Sequence, residues 1–150
     1  MRTKFVLPCI LVVLVDQASK YAISRLVPFG RSVRIFGDSV RFIHVHNPGA
    51  VFGIPVGAYF PYIVGVACIL LFIFSVRKRS ALLSLILGGA IGNLIDRIRI
   101  QAVIDFIDIG IGNLRWPTFN VADSCITIGV IILIIIQLRR RIPVVSGVTS

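Results

Sequence analysis

Four long apolar stretches alternate with more polar segments along this chain of 150 residues. Each stretch is close to the roughly 20 residues that a helix needs to cross the hydrocarbon core of a bilayer. We therefore predict transmembrane helices near residues 5–23, 57–76, 81–98 and 119–138, joined by the segments 24–56 and 99–118 in a single membrane domain, residues 1–150. Gly88 and Gly92 are spaced four residues apart, so the third helix should approach a neighbour closely.

The longer connecting segment shows a different periodicity. "VRIFGDSVRFIHV", residues 33–45, alternates apolar and polar positions around a Gly-Asp turn. Such alternation predicts a hairpin, and hence a small β-sheet on the membrane surface. "QAVIDFIDIG", residues 101–110, alternates in a similar way and is predicted to add to that sheet.

Composition and charge agree with a membrane protein. Apolar residues make up 57% of the chain, above the roughly 45–50% of soluble domains. The net charge of +10 comes largely from short basic groups beside apolar stretches, which is a topology signal, and no nucleic-acid partner is expected. The main groups are Arg2 with Lys4, Arg77 to Arg79, and Arg139 to Arg141. This pattern predicts cytoplasmic termini and places both long connecting segments outside.

The N-terminal apolar stretch is expected to remain as the first helix. It is followed by Asp16 and Lys20 and lacks a small-x-small cleavage site, unlike a cleaved signal peptide. The three cysteines lie in apolar stretches and have no metal-binding or disulfide spacing. His44 and His46 share a strand face, but without a third ligand they predict a surface pair and no metal site.

Polar residues inside the predicted helices fall at similar depths. A charged side chain at the centre of a membrane helix costs at least about 2.5–3.5 kcal/mol, so each one needs a structural or chemical reason. In the predicted orientation they converge on the outer leaflet: Asp16 and Lys20, then Asn93, Asp96 and Arg97, and finally Asn120, Asp123 and Thr127. Asp105 follows the third helix closely, so we expect it to join this cluster.

Asp105 and Asp123 are predicted to come within reach of each other. Burial and a neighbouring like charge can keep one carboxyl protonated while the other stays ionised. Such a pair can activate water and protonate a leaving nitrogen, as in an aspartic protease. On residue types alone a structural interpretation is favoured, with Asp105 a solvated strand residue and Asp123 stabilised by a helix dipole.

Four regions carry a further pattern in a fixed order: "VDQASK" at 15–20, "NPGAVFG" at 47–53, "GGAIGNLIDRI" at 88–98 with "VIDFI" at 103–107, and "FNVADS" at 119–124. Together they resemble the lipoprotein signal peptidase (signal peptidase II) family of bacteria. The resemblance covers nearly the whole chain, with departures at Pro48 and Val51 of the loop motif.

The resemblance implies a mainly α membrane protein of four transmembrane helices with a small extracytoplasmic β-sheet, in the bacterial inner membrane. It also implies an aspartyl endopeptidase that removes the signal peptide of prolipoproteins on the N-terminal side of a diacylglyceryl-modified cysteine. Inhibition by globomycin, contact with membrane lipids, a monomeric state and no cofactor are further expectations. By motif position, the catalytic pair falls on Asp105 and Asp123. The supporting or substrate-binding positions fall on Asp16, Lys20, Asn47, Gly49, Ala50, Asn93, Asp96, Arg97 and Asn120.

Structural roles are expected for several supporting residues. Asp16 and Lys20, at i and i+4, should form an ion pair, and Arg97 should hold Asp96 ionised. Asn120 is either a cap for the fourth helix or an orienter of the Asp pair.

Three alternatives remain at this point. Ser124 with Lys20 could form a serine–lysine dyad that also cuts signal peptides, although Asp105 would then have no function. Intramembrane carboxylates also occur in proton-coupled transporters, but no internal repeat is seen here. A non-catalytic assembly subunit would tolerate loss of both carboxylates.

Overall fold

The computed structural model describes residues 6–49, 57 and 59–141. Four α-helices occur in it: α1 (Leu7–Leu26), α2 (Phe60–Lys78), α3 (Ala81–Ile100) and α4 (Val121–Arg141). Four β-strands lie between them: β1 (Ser32–Phe36), β2 (Val40–Asn47), β3 (Val103–Ile111) and β4 (Leu114–Arg115). All four helices are long and apolar enough to cross a membrane. The predicted class, a mainly α membrane protein with a small sheet, is confirmed.

Local sequence signals explain where the helices begin and end. Pro8 lies in the first turn of α1, where its missing N–H costs nothing. Ser80 caps α3 by accepting the backbone N–H of Leu83. Arg79 and Gln101 adopt left-handed backbone conformations after α2 and α3 and end these helices. The observed bounds therefore differ by only a few residues from those predicted.

The strands form one antiparallel sheet in the order β1-β2-β3-β4. β1 and β2 form the predicted hairpin, and Gly37 supplies a positive φ of 52° in its turn. β3 comes from the other connecting segment and pairs with β2, as the alternation in "QAVIDFIDIG" predicted. Asp105 lies opposite Val45 in that register, so the sheet fixes its position.

α3 is the central helix and packs against α1, α2 and α4. Glycines make two of these contacts close, because a Cβ on Gly88 would lie 2.8 Å from the Cys9 carbonyl oxygen of α1. A Cβ on Gly89 would lie 2.5 Å from the Ala122 carbonyl oxygen of α4. The spacing of Gly88 and Gly92 correctly predicted a close approach to a neighbour, whereas the contribution of Gly89 was missed.

The interior of the helix bundle is unusually polar. A small apolar cluster of Ile23, Val27 and Phe106 joins α1 to the sheet. Beside it, the most deeply buried side chains include Lys20 and Asn120, while large apolar side chains cover the outer faces of the helices. Apolar residues outside and polar residues inside are the arrangement expected for a bundle surrounded by lipid.

Candidate active site

Asp105 and Asp123 are held by one shared residue, Asn120. Asp105 lies on β3, and Asp123 lies in the first turn of α4. The Asn120 side-chain Nδ2 donates to Asp105 Oδ1 at 2.8 Å. Its Oδ1 accepts the Asp123 backbone N–H at 2.9 Å, and Asp123 Oδ2 accepts the Asn120 backbone N–H at 3.3 Å. This reciprocal pair is a capping box at the start of α4. Asn120 is therefore both a helix cap and a partner of the Asp pair, where the sequence offered these as alternatives.

Amide groups also satisfy the remaining carboxyl oxygens. Asn47 Nδ2 donates to Asp105 Oδ2 at 3.0 Å, and Asn93 Nδ2 donates to Asp123 Oδ1 at 2.7 Å. Among the described residues, no cation donates a hydrogen bond to either carboxyl group. The Asp pair is thus fixed in orientation by neutral donors.

The environment of Asp105 changes its acidity. Burial is the main cause that raises the pKa of this carboxyl group to about 6, and the neighbouring charge of Asp123 adds to it. The hydrogen bonds from Asn47 and Asn120 and the charge of Lys20 act in the opposite direction. A carboxyl group with a pKa near 6 can exchange protons close to neutral pH, which suits a general acid or base.

Lys20 forms a second buried group beside the Asp pair. Its ammonium lies 2.8 Å from Asp16 Oδ2 and 2.8 Å from Asp96 Oδ2, and it donates to Asn93 Oδ1 at 2.9 Å. The predicted Asp16–Lys20 ion pair is confirmed. The predicted pairing of Asp96 with Arg97 is wrong, because Asp96 is neutralised by Lys20 across the α1–α3 interface.

Gln17 belongs to the same group and was not identified from the sequence. Its Nε2 donates to Asp96 Oδ1 and to the Gly92 carbonyl oxygen, each at 3.1 Å. It is also 3.3 Å from Asp16 Oδ2. The only signal for Gln17 was its place beside Asp16 in the VDQASK motif.

Arg97 joins the loop after β2 to α3. Its guanidinium donates to the Gly49 carbonyl oxygen at 3.1 Å and to the Asn93 carbonyl oxygen at 3.3 Å. It also lies over the ring of Phe60, 5.3 Å from the centroid. Asn47 Oδ1 accepts the Gly49 backbone N–H, which orients the Asn47 amide towards Asp105. The predicted site residue Ala50 lies outside the described residues.

A cleft of about 580 Å³ opens beside the Asp pair. Asp105, Asp123, Asn47, Asn93 and Arg97 contribute polar groups to its lining. Its other walls are mainly apolar and come from the three helices α2, α3 and α4, from the start of β3 and from the segment before α4: Phe60, Val64, Ala90, Val103, Trp116, Pro117, Phe119, Ile126 and Ile128. No local pattern in the sequence indicated these apolar residues, because they come together only when the three helices pack.

Other candidates from the sequence have structural partners. Asp108 lies 2.6 Å from the Arg115 guanidinium, so the second carboxylate of β3 is an ion-paired residue. His44 contacts the Val27 carbonyl oxygen through Nδ1 at 3.0 Å. Ser124 Oγ donates to the Asn120 carbonyl oxygen at 2.9 Å. Each of these three side chains therefore has a structural contact that accounts for its position, and no catalytic function is needed to explain it.

The fold and the site define a multi-pass membrane protein with a carboxylate pair in the wall of an apolar cleft, and the comparisons with known proteins assign the family. The family model for signal peptidase (SPase) II matches residues 8–139. A lipoprotein signal peptidase of Syntrophus aciditrophicus is 33% identical, over 91% of this chain and 93% of that protein. One from Janthinobacterium sp. (strain Marseille) is 40% identical, over 85% of this chain and 84% of that protein.

A solved structure also matches, that of a bacterial membrane enzyme, with a TM-score of 0.83 and 32% identity. The match covers 97% of this chain and 94% of the other. The chain therefore belongs to the signal peptidase II family, a family of membrane aspartic peptidases. It is a bacterial membrane enzyme that removes signal peptides from prolipoproteins.

Proposed function

We propose that Asp105 and Asp123 are the catalytic pair that cleaves the signal peptide. The observation that carries this assignment is their shared partner, Asn120. Its side chain donates to the buried Asp105 carboxyl group, its backbone N–H donates to the half-buried Asp123 carboxyl group, and neither group receives a hydrogen bond from a cation among the described residues. Both carboxyl groups line the cleft, where a peptide bond can approach them.

The reaction follows from a pair that carries one proton. The ionised carboxylate removes a proton from water, and the resulting hydroxide attacks the scissile carbonyl carbon. The protonated carboxyl group donates its proton to the carbonyl oxygen. In the collapse of the tetrahedral intermediate the C–N bond breaks, and the leaving nitrogen takes the proton held by the first carboxyl group. As the C=O bond re-forms, a hydroxyl of the intermediate returns its proton to the second carboxylate, so the pair again carries one proton.

The apolar walls of the cleft suit a lipid-modified substrate. We propose that the diacylglyceryl group of the substrate cysteine lies against α2 and α4, with the scissile bond on its N-terminal side facing the Asp pair. Arg97 and Asn47 lie on the same lining and can bind peptide carbonyl groups. The basic residues Arg77 to Arg79 lie at the opposite end of α3, and the positive-inside rule therefore supports our proposal that the site faces the extracytoplasmic side of the inner membrane.

A serine–lysine mechanism is disfavoured by the hydrogen bonds of both residues. Lys20 already donates to three acceptors, two of them carboxylates, and none of the three is Ser124. The hydroxyl of Ser124 donates to a carbonyl oxygen of its own helix. The aspartyl mechanism uses residues whose environment suits proton transfer.

The assignment is tested with a purified diacylglyceryl prolipoprotein in detergent. Asp105→Asn and Asp123→Asn should each lower kcat by at least about 1,000-fold, because both members are needed for proton transfer. Asp108→Asn removes a carboxylate from the same strand without touching the pair and should remain active, as should Ser124→Ala. Loss of cleavage only in Ser124→Ala, with both paired-Asp variants active, would transfer the reaction to the serine mechanism.

Two further expectations concern ligands and assembly. Globomycin should inhibit cleavage competitively if it occupies the cleft used by the substrate. All the side chains of the proposed site come from one chain, so the enzyme should be active as a monomer. Inhibition kinetics and light scattering of the purified enzyme test these points separately.

A further inference from the structure

Lys20, Asp16 and Asp96 form a buried triad that we call the Lys20 clamp. Their side chains are 1%, 0% and 2% exposed, respectively. The three residues come from α1 and α3, so the ion pairs join two helices of the bundle. Three buried charges are expensive in a membrane protein, and burial alone provides no reason for them.

The first arm of the Lys20 clamp reaches the start of α4. Asp16 uses Oδ2 for the ammonium of Lys20, and its Oδ1 accepts the backbone N–H of Ala122 at 2.9 Å. Ala122 immediately precedes Asp123. This N–H has no partner within its own helix, because it belongs to the first turn. Asp16 therefore fixes the backbone position from which the Asp123 side chain extends.

The second arm reaches the start of β3. Asp96 Oδ2 contacts the same ammonium and also accepts the backbone N–H of Ile104 at 3.2 Å. Ile104 immediately precedes Asp105. One ammonium group thus holds two carboxylates, and each carboxylate holds the backbone immediately before one member of the proposed catalytic pair.

The third contact of Lys20 orients the amides. Its ammonium donates to Asn93 Oδ1, which also accepts from Asn120 Nδ2 at 3.1 Å. With Oδ1 engaged in this way, Asn93 must present its Nδ2 to Asp123. The same cation therefore acts on both the backbone and the amide donors of the Asp pair.

We propose that the Lys20 clamp is a positioning device that fixes the separation and orientation of the two catalytic carboxyl groups by holding the backbone immediately before each of them. Lys20 does not line the cleft itself and acts on the Asp pair through Asn93, Asp16 and Asp96, so it is a positioning residue. This inference rests on the proposed function of the Asp pair. Its consequence is kinetic, because an error of about 1 Å in the geometry of reacting groups can lower a rate by roughly 100-fold.

The test compares substitutions that keep or remove the hydrogen-bond acceptors. Asp96→Asn retains one oxygen for the Ile104 N–H and loses the charge and the acceptor for Gln17, whereas Asp96→Leu loses all three. Each leaves Lys20 paired with Asp16. We expect Asp96→Leu to lower kcat by roughly 100-fold with little change in KM, and Asp96→Asn to retain most of it. Asp16→Leu should lower kcat by a similar factor through the other arm.

Asp108 provides the matched control, because it is an ion-paired carboxylate on β3 that holds neither backbone position. Asp108→Leu should change the unfolding midpoint but keep kcat near the wild-type value. If folded Asp96→Leu and Asp16→Leu keep wild-type kcat, or lose only as much as Asp108→Leu, the positioning role is wrong.

If a leucine variant does not fold, Lys20→Arg decides the question. It keeps the positive charge, but its longer, planar head group moves both carboxylates. We expect at least a tenfold loss of kcat with unchanged KM, whereas wild-type kcat in this variant overturns the proposal. Wild type and Asp105→Asn are assayed in parallel. A wild type that does not cleave prolipoprotein refutes the proposed function, whereas cleavage by the wild type with unaffected clamp variants refutes only the inference about Lys20.

Discussion

Two pairs of carboxylates lie side by side in this protein, and they differ in what compensates their charge. Asp16 and Asp96 share the ammonium of Lys20. Asp105 and Asp123 share the uncharged residue Asn120, which donates its side-chain amide to Asp105 and its backbone N–H to Asp123. A cation in direct contact keeps a carboxylate ionised, whereas amides orient a carboxyl group while leaving its protonation adjustable. In this bundle, therefore, the charge of the shared partner distinguishes the two pairs. The pair that shares Lys20 is structural, and the pair that shares Asn120 is suited to proton transfer.

Asp108 extends the comparison to one strand. It lies three residues after Asp105 on β3, yet its partner is Arg115 at 2.6 Å. Both residues are buried, so burial alone does not distinguish them. The two residues differ in their partners, because Asp108 contacts the cation Arg115 whereas Asp105 accepts hydrogen bonds from neutral amides. The cation agrees with a structural function for Asp108.

Among substitutions that keep all four carboxylates, the largest effect is expected when the side-chain amide of Asn120 is removed. Asn120→Ser keeps a side-chain oxygen that can cap α4 but loses the donor to Asp105, so kcat should fall by roughly 100-fold. Asn120→Ala should lose similar activity and also about 1 kcal/mol of stability, because the cap is missing. Cleavage assays and thermal unfolding in detergent measure the two effects. Equal activity in wild type and Asn120→Ser would show that the amide does not orient the pair.

A smaller effect should appear when the pH is changed. The pKa of Asp105 is raised to about 6, so this carboxyl group is ionised above that pH and protonated below it. If Asp105 is the base, kcat/KM should fall about tenfold per pH unit below roughly 6. Asp108→Asn should show the same profile. A loss of activity as the pH rises through 6 would instead identify Asp105 as the acid.

Gly92 allows a test of the carboxylate pair that shares Lys20, because it packs against Asp16. A Cβ at this position would lie 2.5 Å from Asp16 Oδ2, so Gly92→Ala should displace the carboxylate and destabilise the fold by about 1–3 kcal/mol. Gly65→Ala is the matched control, since its Cβ would meet only Leu94 Cδ2 at 4.0 Å. Thermal unfolding of the two variants measures the difference. Equal midpoints would contradict the tight packing of Asp16 against α3.

The smallest expected effect is the change in the free energy of unfolding when the Asp105 carboxyl group is replaced by an amide. Because its pKa is raised, ionised Asp105 destabilises the fold at neutral pH, and protonation relieves this cost as the pH falls through 6. Asp105→Asn should therefore be more stable than wild type by about 1 kcal/mol at pH 7, after the loss of one good hydrogen bond. The advantage should disappear below about pH 6. Asp108→Asn should instead be less stable than wild type, because Arg115 loses its partner.

Much of the fold could be predicted because its signals are local. The four apolar stretches gave the helices, and the alternation around Gly37 gave the β1–β2 hairpin. The convergence of polar residues on one end of the bundle was also predictable, since the depth of a residue in a membrane helix follows from its distance along the chain.

The detailed partners were less predictable. Asp16 and Lys20 were expected to pair because they are one turn apart on α1, but the partner of Asp96 was assigned to the wrong cation. Gln17 was missed because its hydrogen bonds reach Gly92 and Asp96, 75 and 79 residues away. The apolar cleft could not be predicted either, since its walls come from residues that are far apart in the sequence and meet only in the folded bundle.

The sequence by itself determined that this chain spans a membrane and carries a polar cluster near one surface, because apolar length and motif order are properties of the linear chain. Only the tertiary structure decided which carboxylates share Lys20 and which share Asn120. Those partners depend on how the glycine-lined face of α3 rotates against α1 and α4, and a contact between helices depends on the packing of both surfaces. Charge compensation, and with it the chemistry available to each carboxyl group, is consequently a property of the folded bundle.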